Sequence, residues 1–323
     1  MLLGVTLISF LLAHVIPADP VAAMLGEQAG SDPQVVAAFR HRWGLDRPLI
    51  EQYGIYVWRL VHGDMGMSFT TRQPVFLDVR QHLPATIELA AAATFLSLVI
   101  GIPIGILSAV RRNTVVDQTV RVVSVLGVSM PVFWVGLVAI LIFYSWLGWA
   151  PSPGELSAEL SPPPFVTGSV IADAAFAGEW TVLFNAVRHL ILPATVLSFY
   201  GVGLITRMVR GSMIDVLGED YMRTARAKGL PTVSVLLRHA LRNGLIPIVT
   251  VVGLNLGHLL SGSVVVETVF AWPGLGRYAF ETAMSIDFAA IMGFGMVVTV
   301  VYLLMNLLVD TAYVVIDPRL RFD

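Results

Sequence analysis

The chain has 323 residues, 56% hydrophobic and 13% charged, with a net charge of −2 and no cysteine. Soluble domains carry about 25% charged residues; here about half that remains, gathered between long uncharged stretches, which excludes a basic nucleic-acid-binding face. Disulfides and thiolate metal sites are excluded as well, and because Lys228 is the only lysine and no Gly-Lys pair exists, so is a GxxxxGK[ST] phosphate loop.

Six stretches free of Asp, Glu, Lys and Arg are long enough, or nearly so, to cross a bilayer: residues 1–18, 89–110, 122–154, 190–206, 244–266 and 288–309. A spanning helix needs about 20 apolar residues for roughly 30 Å of hydrocarbon. The fourth stretch is short, but His189 and the stem of Arg207 extend it. The first is read as a transmembrane helix whose natural start lies upstream of Met1. The alternative is a signal peptide, but Pro17 and Pro20 crowd the region where a small-residue cleavage site would follow.

Between the first two stretches lies an outer segment, residues 19–88. Val35, Val36, Phe39 and Trp43 fall at helical spacing and predict a short helix over 33–43. A second, over 53–61, is expected at the membrane surface with Tyr56 and Trp58 as interfacial anchors. Gly63-Asp64-Met65-Gly66 is turn chemistry. Further on, Pro162-Pro163-Pro164 within 151–164 predicts an extended, poorly ordered outer loop.

Orientation follows from the arginines. The 110–122 loop carries Arg111, Arg112 and Arg121, the 207–243 loop carries six arginines and Lys228, and the tail adds Arg319 and Arg321. The alternate loops hold only Arg188 and Arg277. The positive-inside rule then places both termini and the first set of loops in the cytoplasm. Six arginines in 19–88 do not object, because segments of that length cross regardless of charge. The expected fold class is an all-α integral membrane protein with six transmembrane helices, N and C termini cytoplasmic, forming one domain over 1–323.

The 207–243 loop is the most informative. Asp215, Glu219 and Asp220 precede a run of helix formers, as suits a helix N-terminus. Gly229 followed by Pro231 is a stop signal, and a second helical stretch over 233–242 leads into the next span. Arginines that only fix topology would explain the charge; a docking helix would also explain the helix–glycine–helix punctuation.

Asp220-Tyr221-x-Arg223-Thr224-Ala225-Arg226-Ala227-Lys228-Gly229, followed by Arg238-His239-Ala240-Leu241-Arg242-Asn243-x-x-Ile246-Pro247, resembles the EAA loop of ABC importer permeases. In particular it resembles the dipeptide/oligopeptide/nickel family, in the subunit with the longer outer segment. Arg242 stands where many importers have proline, though the peptide group is similar to this sequence there. Gly44-Leu45-Asp46-Arg47-Pro48-Leu49 and Gly63-Asp64-x-Gly66-x-Ser68 resemble the family's first outer loop. Glu267-Thr268-Val269-Phe270-x-Trp272-Pro273-Gly274-Leu275-Gly276 resembles its last, and Asn306-Leu307-Leu308-Val309-Asp310 with Asp317-Pro318-Arg319 its C-terminus. The matches run in shared order from residue 19 to 321.

The resemblance implies a permease subunit of a binding-protein-dependent, ATP-driven importer in the bacterial inner membrane, most often for di- or oligopeptides, with nickel and glutathione as alternatives. It implies a second homologous permease chain, two cytoplasmic ATPase subunits holding ATP and Mg, and an extracytoplasmic solute-binding protein. Asp220, Tyr221, Thr224, Ala225, Lys228 and Gly229 would couple to the ATPase, with Ala225 facing its groove. Asp46, Arg47, Trp272 and Arg277 would face the receptor.

On the fifth span Asn255, His258 and Gly262 share one helix face; they are helix–helix glue or lining of the solute path. The seven histidines show no metal spacing, and no catalytic constellation appears, so the chain reads as no enzyme. A secondary transporter or channel would favour internal repeats, broken helices or acids near mid-membrane, and the sequence displays none.

Overall fold

The computed structural model describes residues 46–244 and 263–316, together with residues 4, 6–8, 10, 11, 34, 37, 252 and 253. Among them there is no strand beyond an isolated bridge between Met67 and Pro74. In chain order the helices are α1 (Leu49–Val61), α2 (Val75–Val110), α3 (Val115–Ser129), α4 (Val132–Ala139), α5 (Val170–Ala177), α6 (Trp180–Leu217), α7 (Asp220–Ala227), α8 (Leu275–Met284) and α9 (Phe288–Ile316). α4 runs on as a π-helical stretch, Ile140–Trp146, and after α7 a turn at Thr232–Ser234 leads into another, Val235–Leu241.

α2, α6 and Phe288–Leu308 of α9 are each long and apolar enough to cross a bilayer, and α3 with the α4 stretch makes a fourth candidate. These fall on the spans expected at 89–110, 190–206, 288–309 and 122–154. The other two, 1–18 and 244–266, lie largely outside the described residues, as does the helix expected over 33–43.

α2 begins at Val75, so that Asp78, Arg80 and Glu88, ahead of the uncharged run, are helical as well. Two expectations are corrected. The stretch 122–154 is no single straight span: its two halves meet at a bend of 102°. Met130 (ψ 132°) and Pro131 (ψ 127°) are extended there, since proline lacks an N–H and disfavours helical backbone in the residue before it. So the chain does contain a broken helix, and that ground for setting aside a secondary transporter falls. Finally, the 151–164 loop is irregular but pinned. Gly154 N–H donates to Phe270 O (2.8 Å), and Asn185 both accepts from Ser157 N (3.0 Å) and donates to Ser157 Oγ (2.9 Å).

The described residues fall into two units, one within Met1–Pro84 and Arg277–Tyr302, the other within Ala85–Gly276 and Leu303–Asp323. In the first, two buried carboxylates organise the outer segment. Asp287 caps α9 through Ala290 N (3.2 Å) and accepts from Ser68 Oγ (2.6 Å) and Thr70 N (3.0 Å). Asp78 accepts from Thr71 Oγ1 (2.6 Å) and Tyr278 Oη (3.0 Å), with His82 stacked on the Tyr278 ring. Buried carboxylates persist only when hydrogen-bonded or paired, and hydroxyls and amides satisfy these two.

In the second unit, glycines set the helix spacing. A Cβ on Gly203 would lie 2.7 Å from the Ser124 carbonyl oxygen, and one on Gly105 2.7 Å from Val209 Cβ. Small residues allow such close backbone approach between helices in lipid. One apolar cluster gathers Leu89, Ala93, Leu197, Val266, Phe270 and Trp272, and another Ile205, Val209, Met213, Met222, Ala225, Val235 and Ala240.

Candidate functional site

The loop after α6 builds an exposed, charged helix on a small apolar footing. Glu219 is extended (ψ 149°) ahead of α7, and Asp220 occupies the first turn, where a carboxylate complements the helix dipole. Met222 and Ala225, three residues apart and so on one face, are 0% and 6% exposed and pack with Val235 and Ala240. Asp220, Tyr221, Arg223, Thr224, Arg226, Ala227 and Lys228 are exposed. Among the described residues their one ion pair, Arg223 to Asp220 at 3.1 Å, is solvent-exposed and contributes little.

The helix stops as the sequence implies. Lys228 N donates to Thr224 O and Gly229 N to Arg226 O, and Gly229 has φ +71°, a left-handed conformation that glycine adopts without penalty. No atom lies within 4 Å of a Cβ built there, so backbone conformation alone makes the demand. Beyond Pro231 the chain turns into the Val235–Leu241 stretch, and Asn243 Nδ2 donates to Tyr221 Oη at 2.9 Å. A cleft of about 390 Å³ opens beside this arrangement, lined by Val110, Leu217, Arg226, Leu230, Thr232 and Leu236.

Ala225 therefore does not face outward as expected. It is footing, and Ala227 is the small residue on the exposed side. The signal was in the sequence: Met222 and Ala225 share a face, and Met222 has to be buried. Two further contacts had no local signal. One is the Tyr221–Asn243 bond. The other joins α6 to the start of α3: Arg210 donates to both Asp117 oxygens (Nε to Oδ1 2.6 Å, Nη2 to Oδ2 2.9 Å). Ser108 Oγ (2.6 Å) and Asn113 N (3.0 Å) complete the shell.

On the opposite end of the second unit, the Glu267–Gly276 turn is buried. Glu267 and Trp272 are both 0% exposed. Trp272 Nε1 donates to Ala85 O (3.0 Å), Thr86 Oγ1 donates to Glu267 Oε1 (2.8 Å) and itself accepts from Leu275 N (2.7 Å). Gly274 is required because a Cβ would fall on the Glu267 carboxyl group. Trp272 is thus corrected from a receptor contact to a core residue, its indole filling the apolar cluster. Arg277 is partly exposed and pairs with Glu281 (2.8 Å). Asp46 and Arg47 are exposed, with Arg47 3.8 Å from Glu51. Asn255, His258 and Gly262 lie outside the described residues.

Nearby, Asp173 is 3% exposed; burial works against its charge, but Thr167, Val166 and Gly168 amides and the Thr167 hydroxyl hold its carboxyl below the usual range. Glu155 Oε1 is buried with no hydrogen-bond partner among the described residues. Burial, and then the charge of Glu88, push the Glu155 carboxyl up to about 7.

Residues 101–322 match the family described as "Binding-protein-dependent transport system inner membrane component", and residues 1–90 match "Binding-prot-dependent transport system membrane comp, N-term". The chain is 48% identical to the probable D,D-dipeptide transport system permease protein DdpB of Escherichia coli K12, covering 98% of this chain and 93% of that one. It is 41% identical to the dipeptide transport system permease protein DppB of the same strain, over 99% and 94%. With the di/tripeptide transport system permease protein DppB of Pseudomonas aeruginosa it shares 43%, over 98% and 94%. Among solved structures, a chain of the MetNI methionine ABC transporter in inward facing conformations superposes with a TM-score of 0.53 at 17% identity, covering 72% of this chain and 93% of that one.

Proposed function

We infer the function from one premise: this chain belongs to the binding-protein-dependent transport system inner membrane component family. It is a multi-pass membrane permease subunit of an ABC importer for peptides, and no enzyme, since ATP hydrolysis is carried by partner ATPases. A solute-binding protein is its other partner.

We propose the finer reading as follows. The chain is one transmembrane domain of six spans with both termini cytoplasmic, and it pairs with a second, homologous permease. Two ATPase subunits, holding ATP and Mg, grip the exposed face of α7. Asp220, Tyr221, Thr224, Ala227 and Lys228 form that face, and Gly229 fixes its end. Asp46, Arg47 and Arg277 face the receptor, while Asn255, His258 and Gly262 line the path. The D,D-dipeptide, dipeptide and di/tripeptide permeases among the relatives support short peptides as the solute.

The observation that carries this reading is the split of α7 into two inward residues and an otherwise solvent-facing helix. A partner moves an equilibrium only by binding its states unequally. A push on the outer face passes through Met222 and Ala225 to Val235 and Ala240, and through Tyr221 to Asn243. Because the chain has no cysteine, Thr224→Cys and Ala227→Cys each give a unique thiol. A thiol-to-amine cross-linker should join each to the ATPase and neither to the solute-binding protein. Absence of ATPase capture at both, with uptake intact, contradicts the assignment.

A further inference from the structure

Successive helix residues are rotated by about 100°, and α1 divides into three sectors. Tyr53, Tyr56 and Leu60 form one; Leu60 is buried, and the two tyrosines meet the first apolar segment. Thr6 Oγ1 lies 2.9 Å from Tyr53 Oη, and the Phe10 ring is 5.4 Å from that of Tyr53 and 6.0 Å from that of Tyr56. Ile50, Gly54, Val57 and Val61 form a second, apolar sector, with Ile50 86% and Val61 75% exposed. Glu51, Arg59 and His62 form a third, with half-buried Ile55 among them. Trp58, 67% exposed, stands on the border of the last two, its ring 4.2 Å from that of His62.

We propose that α1 lies along the membrane–water interface, with Ile50, Val57 and Val61 in contact with lipid, Trp58 at headgroup level and the Glu51/Arg59/His62 edge in water. What covers the stripe follows from its neighbour. Thr6 and Phe10 turn towards α1, whereas Leu7, Ile8 and Leu11 on the same segment are 44%, 59% and 47% exposed. In a membrane-embedded chain those residues face hydrocarbon, and a bilayer that covers them also reaches the helix packed beside them. An apolar face joined to a charged edge is the pattern of helices that lie in the interface plane, and tryptophan concentrates at that boundary. Tyr56, expected as an anchor beside Trp58, points into the protein instead. The proposal depends neither on the solute nor on the ATPase partner.

Nitroxides on Ile50→Cys, Val61→Cys and Glu51→Cys, each in the transporter assembled with cysteine-free partners in vesicles, test it by collision with oxygen and with Ni(II)EDDA. The labels at 50 and 61 should favour oxygen several-fold over the label at 51, which should favour the nickel complex. Nickel access at all three would place the stripe in water. Access by neither reagent at 50 and 61 would show a protein cover, from the receptor, the second permease chain or this chain. Either result overturns the proposal.

Discussion

Arg210 and Asp117 form an ion pair at 2.6 Å in the second unit, and its worth lies in being complete. Asp117 is fully buried and receives two guanidinium bonds, a hydroxyl and an amide. Truncating one partner of such a pair costs about 3–5 kcal/mol, because the other charge stays buried. Arg210→Met should lower the thermal midpoint of the detergent-solubilised chain accordingly, and adding Asp117→Asn should recover much of the loss; two independent, additive losses would show no coupling. Glu155 makes the opposite case, a carboxyl short of partners. Its ordinary value is 4.5 and its folded value about 7, so between those values the folded chain holds a proton that the unfolded chain has released. Stability of the 151–164 loop therefore falls as pH rises through that window and is level above it. Hydrogen exchange, corrected for intrinsic rates, should show less protection of these amides at pH 7.5 than at 5.5, and Glu155→Gln should shrink the difference. An equal fall in the variant would assign it to another group.

At the scale of elements, spans were legible because lipid imposes a length and a composition; 89–110 and 288–309 satisfy both outright, and 190–206 does so once His189 and the stem of Arg207 extend it. What escaped was set by distant partners. The first turns of α2 carry Asp78, whose charge argues against burial until Thr71 and Tyr278 are seen to satisfy it. Trp272 looked available on an outer turn, and only Ala85 O and the packed cluster show where its indole goes. The bend at Met130–Pro131 has its signal in the proline, but the uncharged run continues through it and masks the break. α7 was readable almost whole, its end most of all. With Gly229 at φ +71°, a β-branched side chain costs about 1–2 kcal/mol without touching any neighbour. Gly229→Val should leave membrane insertion unchanged and cut uptake several-fold, measured at equal expression; unchanged uptake would mean that the end of α7 bears no load.

For the whole molecule, family membership and one exposed helix, α7, come together. The fold is shared with the MetNI methionine ABC transporter chain and the relatives include peptide permeases; α7 is the surface proposed to meet the ATPase. The footing of α7 and its outer face give opposite answers to substitution, and that contrast isolates coupling from folding. Ala225→Arg forces a charge into the Met222–Val235–Ala240 cluster, where an unpaired ion is strongly destabilising, so its failure would be one of folding. Ala227→Trp adds bulk only to the exposed side. The decisive measurement is ATP-dependent uptake of a dipeptide by vesicles carrying the assembled transporter with Ala227→Trp, read beside the variant's thermal midpoint. The account predicts an unchanged midpoint with uptake reduced at least tenfold, a loss of about 1.4 kcal/mol in coupling; normal uptake at a normal midpoint would contradict it.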